Sequence, residues 1–270
     1  MLITGGSGYL GHYLLGKYLG SYCVGRNTYK NSPLLRCDLQ NLETLNKLIQ
    51  RGDLVYHLAA NTRIHLLSKN LELAIRDNLV TSINVFRSCL RHENEIVFTS
   101  TKSIHDRPLN EYSLSKLMSE EAAKFYAEKG LPVKIVRLAS VYGPELPEGK
   151  VMSDLAKKIL KRNSVPIVNS EREEYFIHAH DVMKGLEIAR EADSAKPYEL
   201  GPFQGIKIIK LARIIANLLE RDIEFIPDGK GNNYIAQPCK HLSSLGWEEE
   251  ITLEEGLREA LKNPRWPQKR

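Results

Sequence analysis

Thr4-Gly5-Gly6-Ser7-Gly8-Tyr9-Leu10-Gly11 is the stretch on which the reading of this 270-residue chain turns. It follows the apolar run Leu2-Ile3 and precedes an amphipathic segment over 9–19, so the glycines fall where a strand gives way to a helix. Glycine permits a tight turn there and a close approach of backbone to ligand. The first amides of the helix then face an anion such as a pyrophosphate. Gly5, Gly8, Tyr9, Leu10 and Gly11 are therefore candidate cofactor-binding residues. A glycine-rich turn without a ligand has the same local pattern, and the order strand, glycines, helix is what favours a dinucleotide.

Outward from this turn, short apolar runs at 22–25, 34–37, 53–58, 95–100 and 133–138 alternate with helical patterns at 41–50, 70–92 and 111–129. Each crossover is long enough to bring the next strand in parallel, which predicts an α/β protein with a Rossmann-type doubly wound parallel sheet. The helix over 111–129 has Asn110 as its cap and Gly130-Leu131-Pro132 as its stop. After Tyr142-Gly143-Pro144 the elements shorten. Helices are expected near 151–162, 179–191, 207–220 and 252–262, with strands near 165–168, 174–177, 197–200 and 223–226. The expected organisation is an NAD(P)-binding domain over 1–144 and a smaller C-terminal α+β, mainly substrate-binding region over 145–270, some of whose segments return to the sheet.

A chain with 42% hydrophobic and 26% charged residues folds to a core and is neither disordered nor collagen-like. No run of 18 apolar residues occurs, and the opening MLITGG lacks a signal-peptide pattern, so a cytoplasmic protein with no membrane partner is expected. Cys23, Cys37, Cys89 and Cys239 form no CxxC pair and read as buried thiols. The histidines have no metal-ligand spacing; His178 and His180 read as structural or exposed polar groups, and no metal is expected. Lys157, Lys158, Lys161 and Arg162 read as the solvated side of an amphipathic helix. Without aromatic interleaving or a recognisable module, no nucleic-acid partner is expected. The net charge of +5 is concentrated at the start: residues 1–37 hold Lys17, Arg26, Lys30 and Arg36 and no acid. That asymmetry suits an anionic dinucleotide. Arg26, at the end of the second strand where an acid would accept from a ribose 2′-hydroxyl, favours NADP over NAD, although a surface arginine reads the same way.

Two further clusters carry chemistry. Tyr112-Ser113-Leu114-Ser115-Lys116 puts a phenol and an ammonium four residues apart on one helix face, where the cation is expected to lower the phenol pKa and make Tyr112 a general acid or base; two exposed helix residues read the same way, and the position after the fifth strand is what favours the chemistry. The fifth strand ends in Thr99-Ser100-Thr101, hydroxyls at the carboxyl end of a parallel sheet, either orienting a substrate or capping the strand.

Taken together, TGGSGYLG (4–11), Asp38-Leu39, His57-Leu58-Ala59-Ala60, Asn78, Ser100-Thr101, YSLSK (112–116), RLASVYGP (137–144), FIHAHDV (176–182), YELG (198–201) and LGWEEEITLEEGL (245–257) resemble the extended short-chain dehydrogenase/reductase family of NAD(P)-dependent nucleotide-sugar epimerases, dehydratases and reductases. The resemblance implies that the glycines hold the pyrophosphate, that Asp38 bonds the adenine amine, and that Leu58, Ala59 and Ala60 line the cofactor. It places Leu39, Asn78 and Thr99 along the same cleft. It also implies Tyr112 as acid/base, Lys116 as the group that bonds the nicotinamide ribose and tunes the phenol, and Thr101 as the orienter of a sugar. Family members often pair through the helices near 78–92 and 111–129, so a homodimer is implied, with a nucleotide sugar or related carbonyl compound as small-molecule substrate.

This chain departs from the family in three places. Thr101 lies only 11 residues before Tyr112, a shortened connection. Lys102-Ser103 stands where dehydratases carry an acidic pair, which disfavours dehydration. Glu174 and Ser140 replace an arginine and an asparagine that usually contact substrate. Hydride transfer at a sugar carbon in an epimerase or reductase is the expected function. A non-catalytic NAD(P)-binding regulator or scaffold is the alternative, motivated by the same departures.

Overall fold

The computed structural model describes residues 1–18, 20–25, 34–106, 108–144, 146, 148–192, 196–230 and 242–263. Arg26 and Cys239 lie outside the described residues. The chain divides into two compact units, Met1–Leu138 with Met183–Glu199, and Ala139–Val182 with Leu200–Arg270.

The first unit is built on strands β1 (Leu2–Thr4), β2 (Tyr22–Gly25), β3 (Leu34–Arg36), β4 (Leu54–His57), β5 (Glu95–Thr101) and β6 (Val133–Leu138), with β7 (Tyr198–Leu200) completing a seven-stranded sheet. The order β7-β6-β5-β4-β1-β2-β3 is that of a doubly wound sheet, and the pairings from β3 through β6 are parallel. The order reverses between β1 and β4, which opens a crevice at their carboxyl ends. Strands covered by helices on both faces read as unbroken apolar runs. Accordingly Leu2, Val24, Val55, Ile96, Phe98, Val133 and Ile135 form one core with Val85 and Phe86.

Helices α1 (Tyr9–Lys17), α2 (Leu42–Leu48), α3 (Thr81–Arg91) and α4 (Glu111–Glu128) fill the crossovers, and α5 (Ala179–Glu191) leads into β7. Asn110 caps α4 by accepting from the Ser113 amide at 2.9 Å, and Gly130, at φ +95°, ends it. The segment expected to be helical over 70–92 is helical without interruption over Leu71–Arg91, but it is not α-helix throughout. A single α-turn over Leu71–Ala74 passes into π-helix over Ile75–Val80 before α3 begins. The wider turn buries Asp77 and Asn78, an arrangement that helix periodicity alone does not reveal.

The second unit packs helices Val151–Lys161, Ile208–Leu218 and Leu253–Lys262 around Leu155, Ile159, Val165, Phe176, Leu211, Ile215 and Leu257. Short two-stranded sheets complete it. Asp181 accepts from the Glu250 and Ile251 amides at 3.2 Å each, which anchors the segment before the last helix.

Candidate active site

The glycine turn joins β1 to α1. Gly5 has φ +74°, and a Cβ there would lie 2.7 Å from the Ala59 amide nitrogen; one on Gly11 would lie 2.3 Å from the Gly5 carbonyl oxygen. Backbone sits against backbone at both positions, so only glycine fits. Gly6, which the sequence reading passed over, is equally constrained, because its Cβ would meet the Cys23 Sγ at 2.0 Å. Gly8 is looser, with the Gly5 carbonyl at 3.0 Å. Helix α1 starts without a side-chain cap and without an acid in its first turn. That donor set, open to an anion and backed by a cradle that a side chain would fill, fits a dinucleotide pyrophosphate. Tyr9 and Leu10 lie half-buried in the first turn, and Leu58, Ala59 and Ala60 are half-buried just beyond β4.

A buried hydrogen-bond chain sets the floor of this crevice. The Ser82 hydroxyl donates to the Asn78 carbonyl at 2.6 Å, so it accepts from His57 Nε2 at 3.0 Å. His57 Nδ1 then accepts from the Thr4 hydroxyl at 2.7 Å, and that oxygen accepts from the Ala59 amide at 3.3 Å. Burial holds the imidazole neutral by pushing its pKa down to about 3, with the nearby Lys116 ammonium adding to the effect. Neutral His57 thus ties β1 to the Leu58–Ala60 segment. Its role had no short spacing signature, because its partners come from β1 and α3.

Asn78, expected to touch the cofactor, spends its side chain internally. Its amide donates to Ser115 Oγ at 2.9 Å and the Asn61 carbonyl at 3.2 Å, and its carbonyl accepts from the Asn61 amide at 2.7 Å. These bonds tie the Asn78 side chain to Ser115 of α4 and to Asn61. Leu39 is likewise buried in the core. Asp38 is exposed and accepts from the Gln40 amide at 3.1 Å.

Tyr112, Lys116 and Thr101 come together at the carboxyl end of β5. The Tyr112 phenol lies close enough to the Thr101 side chain for it to act on the phenol's pKa. Thr101 Oγ1 accepts from the Ser103 amide at 3.2 Å, which holds it at the first turn of the 3-10 helix Lys102–His105. Lys116 is buried, donates to the Thr99 carbonyl at 2.6 Å and lies 4.2 Å from the centre of the Phe98 ring. Burial pushes its pKa down to about 7, opposed by the Glu120 carboxylate. The phenol behaves otherwise than the helix spacing predicts: burial pushes it up to about 12, and the lowering influence on it is Thr101 rather than Lys116. The Lys116 ammonium is turned to a strand carbonyl and does not depress the phenol. Tyr112 is therefore protonated at neutral pH.

Two of the departures from the family pattern meet each other in the second unit. Ser140 Oγ donates to Glu174 Oε1 at 3.1 Å, and Arg172 pairs with Glu174 Oε2 at 3.0 Å. Among the described residues one group has ligand atoms close enough for a metal ion, His180, Asp181 and Glu250. Its buried Asp181 is engaged in the amide contacts given above.

A family model described as the NAD dependent epimerase/dehydratase family matches residues 1–201. UDP-glucuronic acid decarboxylase 1 of Arabidopsis thaliana is 23% identical over 297 residues, spanning 95% of this chain and 68% of that protein. Among solved structures, the UDP-glucose 4-epimerase of Thermus thermophilus in complex with NAD is 23% identical, with a TM-score of 0.83 over 98% of each chain. RMD of Pseudomonas aeruginosa complexed with NADPH is 21% identical, with a TM-score of 0.80 over 97% of each chain. At these identities the structural likeness establishes the fold.

Proposed function

The chain belongs to the NAD dependent epimerase/dehydratase family, and on that premise we propose that it is an NAD(P)-dependent epimerase or reductase acting at a sugar carbon of a nucleotide sugar or related carbonyl compound. The observation that carries this reading is the placing of the Tyr112 phenol beside Thr101, with buried Lys116 one helical turn along α4 and bonded to the Thr99 carbonyl of the same strand end. Gly5, Gly8 and Gly11 hold the pyrophosphate, and Leu58–Ala60 line the cleft. When bound, the nicotinamide supplies the hydride acceptor or donor. Tyr112 Oη gives its proton to a ketone oxygen during reduction, or takes the hydroxyl proton during oxidation. Thr101 orients that oxygen, and the Lys116 ammonium offers donors to the nicotinamide ribose. Dehydration is disfavoured because the residue after Thr101 is Lys102, a buried cation paired with Glu199 at 3.9 Å rather than an acid.

The acid-free opening and Arg26 support a preference for NADP. The test is a screen of UDP-glucose, UDP-glucuronic acid and simple ketones with NAD(H) and NADP(H), read by nicotinamide absorbance. Turnover of a nucleotide sugar is expected; silence across the whole panel would sink the reading in favour of a non-catalytic binding protein. Tighter binding of NADH than NADPH would overturn the cofactor preference.

We also propose a homodimer through α3, α4 and the π-turn, whose outer surface exposes Val80 and Phe125. Sedimentation is expected to give a dimer at micromolar concentration, and a monomer there would remove the proposal. No described helix is long and apolar enough to cross a membrane.

A further inference from the structure

Lys102 and His105 begin and end the turn that follows Thr101, and both reach one carboxylate. His105 Nε2 lies 2.6 Å from Glu199 Oε1, and Lys102 Nζ lies 3.9 Å from Glu199 Oε2. Glu199 sits in β7 with its side chain only 5% exposed, and Arg137 of β6 approaches it at 3.7 Å. The same guanidinium donates to both oxygens of Glu120, from Nε at 3.0 and 3.1 Å and from Nη2 at 2.7 Å. Glu120 is fully buried on α4, four residues after Lys116. Positive and negative groups therefore alternate from Lys102 through Glu199 and Arg137 to Glu120, with His105 bonded to the same Glu199, and Glu120 acts on the charge of Lys116 from one helical turn away. These contacts join the turn that follows Thr101 to the helix that carries Tyr112 and Lys116.

We propose that Glu199 is a positioning residue of the active site, fastening the Thr101 turn through His105 and Lys102 and setting the charge state of Lys116 through Arg137 and Glu120. The inference rests on the reading of Tyr112, Lys116 and Thr101 as the reacting set. Its physical basis is the sharing of one guanidinium between two buried carboxylates. The more Glu199 draws on Arg137, the less Arg137 neutralises Glu120, and the more Glu120 supports the ammonium. Burial works to raise the Glu199 carboxyl, but the His105 hydrogen bond and the nearby Lys102 and Arg137 hold it below the usual range.

The groups that act on Lys116 among the described residues come from three elements and from behind Glu120. Glu120 and Tyr112 lie on its own helix, the Thr99 carbonyl and Phe98 ring on β5, and neutral His57 on β4, with Arg137 behind Glu120. None of the other groups can replace Glu120 as an acid.

The test follows the Lys116 side chain by carbon NMR of labelled lysine in the full chain, assigned with Lys116→Arg and titrated with pH. The wild-type midpoint is expected near 7. Glu199→Gln should lower it by about half a unit or more, roughly a threefold fall in the ammonium-to-amine ratio at fixed pH. Lys102→Met should move it the other way, because Glu199 then draws more strongly on Arg137; Glu199→Asp should restore part of the wild-type value. Opposite shifts from the two charge changes are not produced by a merely structural defect.

An unshifted midpoint in folded Glu199→Gln would overturn the proposal. If that variant does not fold, an unshifted or lowered midpoint in Lys102→Met would do so. The titration needs no turnover, so its failure is distinct from failure of the functional reading. That reading falls if Tyr112→Phe retains full activity, whatever Lys116 does.

Discussion

Tyr112→Phe is expected to reduce turnover by about 10²- to 10⁴-fold, the range supplied by a positioned general acid or base, while NADH and NADPH bind as in the wild type. Phenylalanine keeps the ring in its half-buried place on α4 and removes only the hydroxyl that Thr101 contacts. The loss therefore falls on kcat. Because burial raises the phenol to about 12, it holds its proton at neutral pH. Reduction of a ketone begins with the group in its donating form, whereas oxidation of an alcohol requires the phenolate and gains as pH rises. Absorbance assays in both directions, on whichever panel substrate reacts, measure the loss. Fluorescence titration with the reduced cofactors checks binding. Wild-type turnover by the phenylalanine variant would remove Tyr112 from the mechanism.

Gly11→Ala is expected to abolish tight cofactor binding and to cost about 1–3 kcal/mol of stability, the usual range for overpacking a closed site. The added Cβ would lie 2.3 Å from the Gly5 carbonyl oxygen and 2.4 Å from the Gly6 Cα. Those are backbone atoms of the turn itself, so relief requires the turn to open and its amides to leave the anion site. Gly16→Ala in the same helix is the control. No atom lies within 4 Å of its Cβ, and helix propensity favours alanine there by roughly 0.5–1 kcal/mol. Urea denaturation and cofactor fluorescence on the two variants separate the effects. If Gly11→Ala bound NADH and NADPH as tightly as the wild type, the cradle reading would be wrong.

The contrast between these glycines marks how far the linear pattern reaches. Gly5, Gly8 and Gly11 stand out because a strand, a turn and a helix follow one another within 17 residues. The need for Gly6 comes instead from Cys23, a residue of the neighbouring strand. Asn78 was visible as part of a recurring motif. Its actual partners, Asn61 and Ser115, reflect a π-turn that changes which side chains the helix buries.

By itself the sequence determined the order of strands and helices, the glycine turn and the Tyr112/Lys116 spacing. Each follows from local rules: apolar periodicity, the freedom of glycine at φ +74°, and the four-residue repeat of a helix face. Only the tertiary structure decided where the charges act. It turned Lys116 to the Thr99 carbonyl, raised the Tyr112 phenol where spacing predicted a lowered one, and brought Glu199 to His105 across 94 residues of chain. The physical reason is that pKa and ion pairing depend on burial and on neighbours supplied by other strands. Those neighbours exist only after β5, β6 and β7 have come side by side.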